Sequence, residues 1–306
     1  MVNKKICESL NKAFLKVKLL RQDINKFKDN LEILLRITDK EINEKEEFHK
    51  NNLTTFLKDT YYSTNHYINT QDNNDLVIYN GKDINSKIGV IIETKRPNNT
   101  TEMIMSDKFN CKALQQLLLY YLRERITNNN FEIKYLIITN IYDWFVFRAD
   151  LFERLFYQDK FLVKQFNDFQ EKRLTSEKTK LFYESIAFNA INKVKLELKE
   201  NCVNFNLKDY EKEEDLSLTL LYKFLSPQHL LKLPFANDSN SLDQGFYSEL
   251  LHIIGLTEVK QGSKKLIERL PENKRYQGSL LENTIYQLDT YNKLDNLTNL
   301  SDYGNN

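Results

Sequence analysis

One short stretch holds residues whose types and spacing could do chemistry. In "DLVIYNGKDINSKIGVIIETKRP" (75–97), Asp75 opens one apolar run, and Glu93 and Lys95 stand two residues apart in the next. Side chains alternate along a strand, so Ile91, Glu93 and Lys95 share one face while Val90, Ile92 and Thr94 share the other. Charged groups among apolar neighbours are costly unless they are paired or hold a metal. A hairpin register can bring Asp75 to the same place, which would assemble two carboxylates and an amine at one sheet edge. Metal-dependent phosphodiester hydrolysis needs those groups. Two carboxylates can hold Mg²⁺, or Mn²⁺ in its place, to neutralise phosphate charge and activate water. A lysine can orient that water and offset charge on the phosphorus.

The elements that must position these residues are legible in the periodicities. "DLVIY" and "IGVIIETK" are rich in β-branched residues and are joined by the turn-prone "NGKDINSK", which predicts a β-hairpin. Before it, residues 1–37 place apolar positions three and four apart, as in an amphipathic helix, and 41–62 repeat the pattern with Phe48, Leu53, Phe56 and Leu57 inward. After it, "NCKALQQLLLYYLRERITN" (110–128) has helix composition, and "KYLIITN" and "DWFVFRA" supply two further strands. The order predicts an α/β fold with a mixed sheet flanked by helices. Beyond about residue 150 the chain turns Lys-, Glu- and Leu-rich, and "SEKTKLFYESIAFNAINKVKLEL" is expected to pack back on the sheet. A boundary near residue 205 divides a first domain, 1–205, from a mainly helical connector, 206–306.

The formal net charge of +1 argues against a uniformly basic coat, so polyanion binding must come from local clusters. Met1–Lys40 is such a region, with ten Lys or Arg against five Asp or Glu. Arg96, Lys108, Lys112, Arg123 and Arg125 form another candidate, either a phosphate-contacting rim or ordinary surface charge. Cys7, Cys111 and Cys202 lack the short paired spacing of a zinc site and fit a reducing cytoplasm. No segment has the roughly 20 apolar residues of a membrane span. Seven glycines leave neither a Walker-type loop nor a GxGxxG fingerprint. Trp144, the single tryptophan, reads as a core anchor, and the four histidines show no ligand spacing.

Asp75 followed by Glu93-Thr94-Lys95 resembles the D…(D/E)xK core of the PD-(D/E)xK nuclease superfamily. Gln116 with Tyr120 is similar to the QxxxY element of its RecB-like branch, where both residues lie beside the metal and contact DNA. Gln115 competes with Gln116, but Gln116 has a tyrosine one helical turn on; Tyr120 can equally be core. "YLIITNIYDWFVF" resembles the "LTN…W" strand pair of restriction subunits. With "LYKFLSPQHLLKLPFANDSNSLDQGFYSELLHIIGL", the whole chain resembles the amino-terminal nuclease and connector of single-chain type IIG restriction enzymes.

The resemblance implies an Mg²⁺-dependent endodeoxyribonuclease with Asp75 and Glu93 as metal ligands and Lys95 and Gln116 beside them. It implies a further carboxylate on the helix before the hairpin, for which Glu47 is the candidate beside Glu44 and Glu46. Double-stranded DNA is the implied partner, with dimerisation on DNA for a double-strand break. The glycine-rich S-adenosylmethionine loop and the NPPY-type tetrapeptide of the family's methyltransferase do not occur, so methylation and target recognition are expected from other domains. A standalone RecB-like nuclease, or a non-catalytic DNA-binding module, would share the same core.

Overall fold

The computed structural model describes residues 4–71, 74–105, 108–171, 178–211, 215–234, 244–261, 264–276 and 278–291. The chain divides into two compact units, Met1–Asp238 and Ser239–Asn306. The first is built on a six-stranded sheet, in spatial order β1 (Ile68–Gln71), β2 (Asn74–Tyr79), β3 (Ile88–Thr94), β4 (Tyr135–Thr139), β5 (Asp143–Arg148) and β6 (Val203–Asn206). Neighbours run antiparallel except β3 and β4, which are parallel and joined through a helix, so the sheet is mixed as its residues predict. Every residue of β3 and β4 is buried. Their near-continuous apolar runs are the mark of strands covered on both faces.

Helices supply both covers. On one face Ile91, Leu136, Ile138 and Phe147 pack with α5 (Lys112–Leu122), α6 (Ala149–Phe152), α7 (Lys160–Gln170) and α9 (Phe188–Glu200); α8 (Lys178–Leu181) leads into the π-helical turn 182–187 that joins this layer. On the other, Val90, Ile92, Ile137, Trp144 and Phe205 pack with α3 (Arg21–Lys40), α4 (Glu46–Leu57), α10 (Asp215–Leu225) and α11 (Pro227–Leu230). The predicted split of Ile91 from Val90 and Ile92 is therefore observed. Trp144 is fully buried, donates from Nε1 to the carbonyl of Ile141 and stacks on Phe205. Gly89 in β3 lets the side-chain ends of Asn80 and Leu231 approach the backbone, and a Cβ there would make both shift.

Two expectations need correction and a third gains a detail. The amino-terminal helical pattern is broken into α1 (Ile6–Ser9), α2 (Lys12–Lys16) and α3, with Leu10 and Val17 extended between them. The first unit does not stop near 205, because β6 pairs with β5 and α10 and α11 complete the second helical layer. The region beyond 206 is mainly helical among the described residues, with one addition: between α12 (Gln244–Ile254) and α13 (Leu280–Tyr291) lies an antiparallel hairpin, β7 (Leu256–Gln261) and β8 (Lys264–Arg269). Its lysines and glutamates dilute the apolar alternation that marks a strand. The "NDSNS" break lies outside the described residues. Among the described residues no helix is long and apolar enough to cross a membrane.

Candidate active site

The end of β3 carries the buried charges. Glu93 is 1% exposed and Lys95 3%, and the Lys95 ammonium donates to Glu93 Oε1. Lys95 lies just past the strand, yet its N–H donates to the Thr139 carbonyl at 2.8 Å, so it continues the ladder with β4. The turn after Thr139 is pinned: Thr139 Oγ1 accepts from Ile141 N–H at 3.0 Å, and Asn140 Oδ1 from Asp143 N–H at 2.7 Å. Ile141 is held at φ 79°, a costly conformation for a β-branched residue. The "TN…W" residues thus brace the strand end that supports Lys95.

The β2–β3 register pairs Leu76 with Ile92, and one step further puts position 75 across from Glu93. The side chain of Asp75 lies outside the described residues. Glu46, at the start of α4, brings Oε1 to 3.7 Å from Lys95 Nζ. Two carboxylates from different elements therefore converge on one cation. Glu47 does not join them: it is 62% exposed and pairs with Lys50 at 2.8 Å. Of the three glutamates weighed before the hairpin, it is the adjacent one that reaches the site.

On α5, Gln115 donates to Asn110 Oδ1 at 2.9 Å, whereas the half-buried Gln116 has its Oε1 buried with no hydrogen-bond partner among the described residues. Tyr120 is 8% exposed within the core cluster. The proposed cationic rim is dispersed. Arg96 is exposed, Lys108 donates to the Thr101 carbonyl at 2.6 Å, and Lys112 pairs with Glu102 at 2.6 Å. Arg125 is buried against Glu153 and is not surface charge.

Two residues missed in the sequence belong to this neighbourhood. Tyr183, in the turn 182–187, has its phenol pKa raised by burial and then by the charge of Glu93, against Arg123 and Lys95. Glu102 has its pKa lowered: burial raises it, but hydrogen bonds from Lys112 and Asn99 and the charges of Lys112 and Lys95 outweigh that. Tyr183 lies in a long helical segment with no local motif. Glu102 sits in the loop "RPNNTTEM", where no periodicity singles it out. Cys111, at the start of α5, is held at about 11, by burial first and with Glu93 adding to it.

Hard carboxylate oxygens are the donors Mg²⁺ or Mn²⁺ takes. The convergence of Glu93 and Glu46 on a single cation fits such a group, and the backbone register sets position 75 across from Glu93. Among the described residues no group of three or more His, Cys, Asp or Glu is close enough to hold a metal.

A family model described as "Domain of unknown function (DUF7149)" matches residues 4–238, and one described as "Domain of unknown function (DUF7814)" matches 239–306. These limits coincide with the two structural units. No curated protein and no solved structure matches the chain. The chain belongs to the DUF7149 family over its first unit.

Proposed function

We propose that this DUF7149-family chain is a metal-dependent endodeoxyribonuclease of the PD-(D/E)xK type, acting as the cleavage part of a restriction system of the type IIG kind. The observation that carries the reading is the buried Glu93–Lys95 pair at the end of an inner strand, with Glu46 on the same ammonium and position 75 across the ladder. An ion pair this buried gives little net stability over apolar packing, so its retention calls for a chemical reason. Mg²⁺ would supply charge neutralisation and an activated water, with Glu93 and Asp75 as ligands and Glu46 in reach.

The chain's own residues then divide the work. Lys95 holds the attacking water in line and offsets charge gathering on the phosphate. Its ammonium is placed by Glu93 and by the Thr139 carbonyl that fixes its backbone. Gln116 has a buried amide oxygen that can accept a hydrogen bond from a water at the site. Arg96 and Arg123 remain the candidates for phosphate contact, while Lys108 and Lys112 must first leave their present partners. The hydrolysis adds water across one phosphodiester P–O bond. A double-strand break therefore needs two copies on opposite strands. On this reading S-adenosylmethionine belongs to a companion methyltransferase, target choice to a companion recognition domain, and the setting is the bacterial cytoplasm.

Nicking of supercoiled plasmid with Mg²⁺ or Mn²⁺ tests this, run beside Lys95→Ala, Asp75→Ala and Gln116→Ala. Cleavage by the parent, its abolition by chelator, and a loss of at least about 100-fold in the first two variants are expected, with DNA binding largely kept. Equal nicking by parent and Lys95→Ala would refute the assignment. If the parent binds DNA but never cuts it, alone or with companion domains, the non-catalytic module stands instead.

A further inference from the structure

A cavity opens at the other end of the sheet from the Glu93–Lys95 pair. It has a volume of about 320 Å³ and lies around the start of β4 and the end of β5, whereas Glu93 and Lys95 lie near the end of β4. Its floor is Arg125, 8% exposed, whose guanidinium is sandwiched between the rings of Phe131 at 3.9 Å and Tyr157 at 3.8 Å. Nε and Nη2 donate to the two oxygens of Glu153, each at 2.7 Å, and Tyr121 donates to the same carboxylate at 2.8 Å. Nη1 is buried with no hydrogen-bond partner among the described residues. A buried donor left unmet is costly unless a water or another acceptor meets it.

The walls carry more positive charge than they neutralise. Asp150 is committed to Arg148 and Glu153 to Arg125. Lys134 and Lys232 line the cavity with no ion pair among the described residues. The adjoining cleft differs, because there Arg148 and Arg154 are each paired and Lys4 donates to Asn201. Lys232 also stands at φ 53°, in the left-handed region that a lysine adopts at a cost. Its pKa is lowered, first by burial and then by Arg148 and Lys134, against Asp150. Two ammoniums facing one cavity repel each other until an anion lies between them. Phe131 is 66% exposed, so beyond the face that covers Arg125 it offers an aromatic surface to solvent.

We propose that this cavity binds a small phosphorylated ligand with a planar ring, of the nucleotide class, its phosphate held by Lys134 and Lys232 and its ring against Phe131. A site of this volume suits a small molecule. The inference stands apart from the nuclease reading, since none of these residues belongs to the Glu93–Lys95 centre.

Calorimetric titration of the full chain with adenosine monophosphate, inorganic phosphate and adenosine, at constant ionic strength, tests it. Adenosine monophosphate is expected to bind saturably and more tightly than phosphate, and adenosine far more weakly. Lys134→Ala with Lys232→Ala should weaken adenosine monophosphate at least about tenfold. Phe131→Ala should weaken the nucleotide but leave inorganic phosphate unchanged. The double variant is expected to melt no lower than the parent, since it removes two like charges that have no ion pair among the described residues, and Lys134→Gln and Lys232→Gln singly take its place if it does not fold. No saturable binding of either phosphate compound up to about 10 mM, or equal binding by parent and lysine variants, overturns the proposal.

Discussion

The Glu93–Lys95 pair can be tested for what it does to stability, separately from any cleavage assay. Replacing Lys95 by Met keeps an unbranched side chain but takes its ammonium from a carboxylate that is 1% exposed. Breaking a buried pair from one side costs about 3–5 kcal/mol. Replacing Glu93 by Leu is milder, at about 2 kcal/mol, because Lys95 keeps Glu46 at 3.7 Å. If the two effects were independent, the double variant would lose at least about 5 kcal/mol, enough to unfold many domains. The physics of buried ion pairs gives a different answer, since well-packed apolar replacements of both partners are often neutral or stabilising. Glu93→Leu with Lys95→Met is therefore expected within about 1 kcal/mol of the parent, and at least about 4 kcal/mol above the sum of the singles. Urea unfolding of the four proteins at neutral pH, with chelator present, measures the cycle. Additivity within about 0.5 kcal/mol would refute the argument that the pair is kept for chemistry.

Four further outcomes follow from the same geometry. Glu46→Gln should reduce plasmid nicking by about tenfold or more while Glu47→Gln leaves it unchanged, because only the former carboxylate comes within 4 Å of Lys95. His229, 7% exposed between Phe224 and Tyr135, has its pKa lowered to about 4, by burial first and then by Lys232 and Arg148. Its folded value lies below the unfolded one, so its stability contribution is full above about pH 6.5 and is lost as pH falls toward 4, by about 3 kcal/mol in all; His229→Phe should flatten that part of the pH–stability curve. Trp144→Ala should cost about 3–5 kcal/mol in urea unfolding, and the parent's tryptophan emission should be blue-shifted and shift red on unfolding. A chain ending at Asp238 should unfold cooperatively with the intact protein's first-unit midpoint, and a non-cooperative transition would show that the two units depend on each other.

The inner sheet was legible because its strands are buried on both faces and so write their pattern without interruption, as "IGVIIET" and "YLIIT" do. The edge strands were not. β1 reads "INTQ" and β6 "VNFN", each four residues long and at least half polar, and their pairing is decided by the neighbouring strands and not by local preference. β7 and β8 escaped for a related reason: a hairpin in which Ile267 is 54% exposed has little need of alternation. Arg125 was misplaced because composition cannot distinguish an exposed arginine from one sandwiched between two rings and forked onto a glutamate.

In the site itself, the covalent spacing of Glu93 and Lys95 carries over directly, since alternation along one strand sets their common face. The third carboxylate could not be chosen the same way. Glu44, Glu46 and Glu47 are close in sequence, and which one reaches Lys95 depends on where α4 begins: Lys45 is extended and Glu46 is the first helical residue. A helix turns about 100° per residue, so neighbouring glutamates point in well-separated directions, and Glu47 is carried around to meet Lys50. Tyr183 and Glu102 required still more, because a phenol some 90 residues downstream and a loop carboxylate enter the neighbourhood of Glu93 and Lys95 through packing on α5 and through the Lys112 ion pair. Residues fixed by strand periodicity can thus be read from one segment, whereas those delivered by a helix start or by long-range packing need the fold.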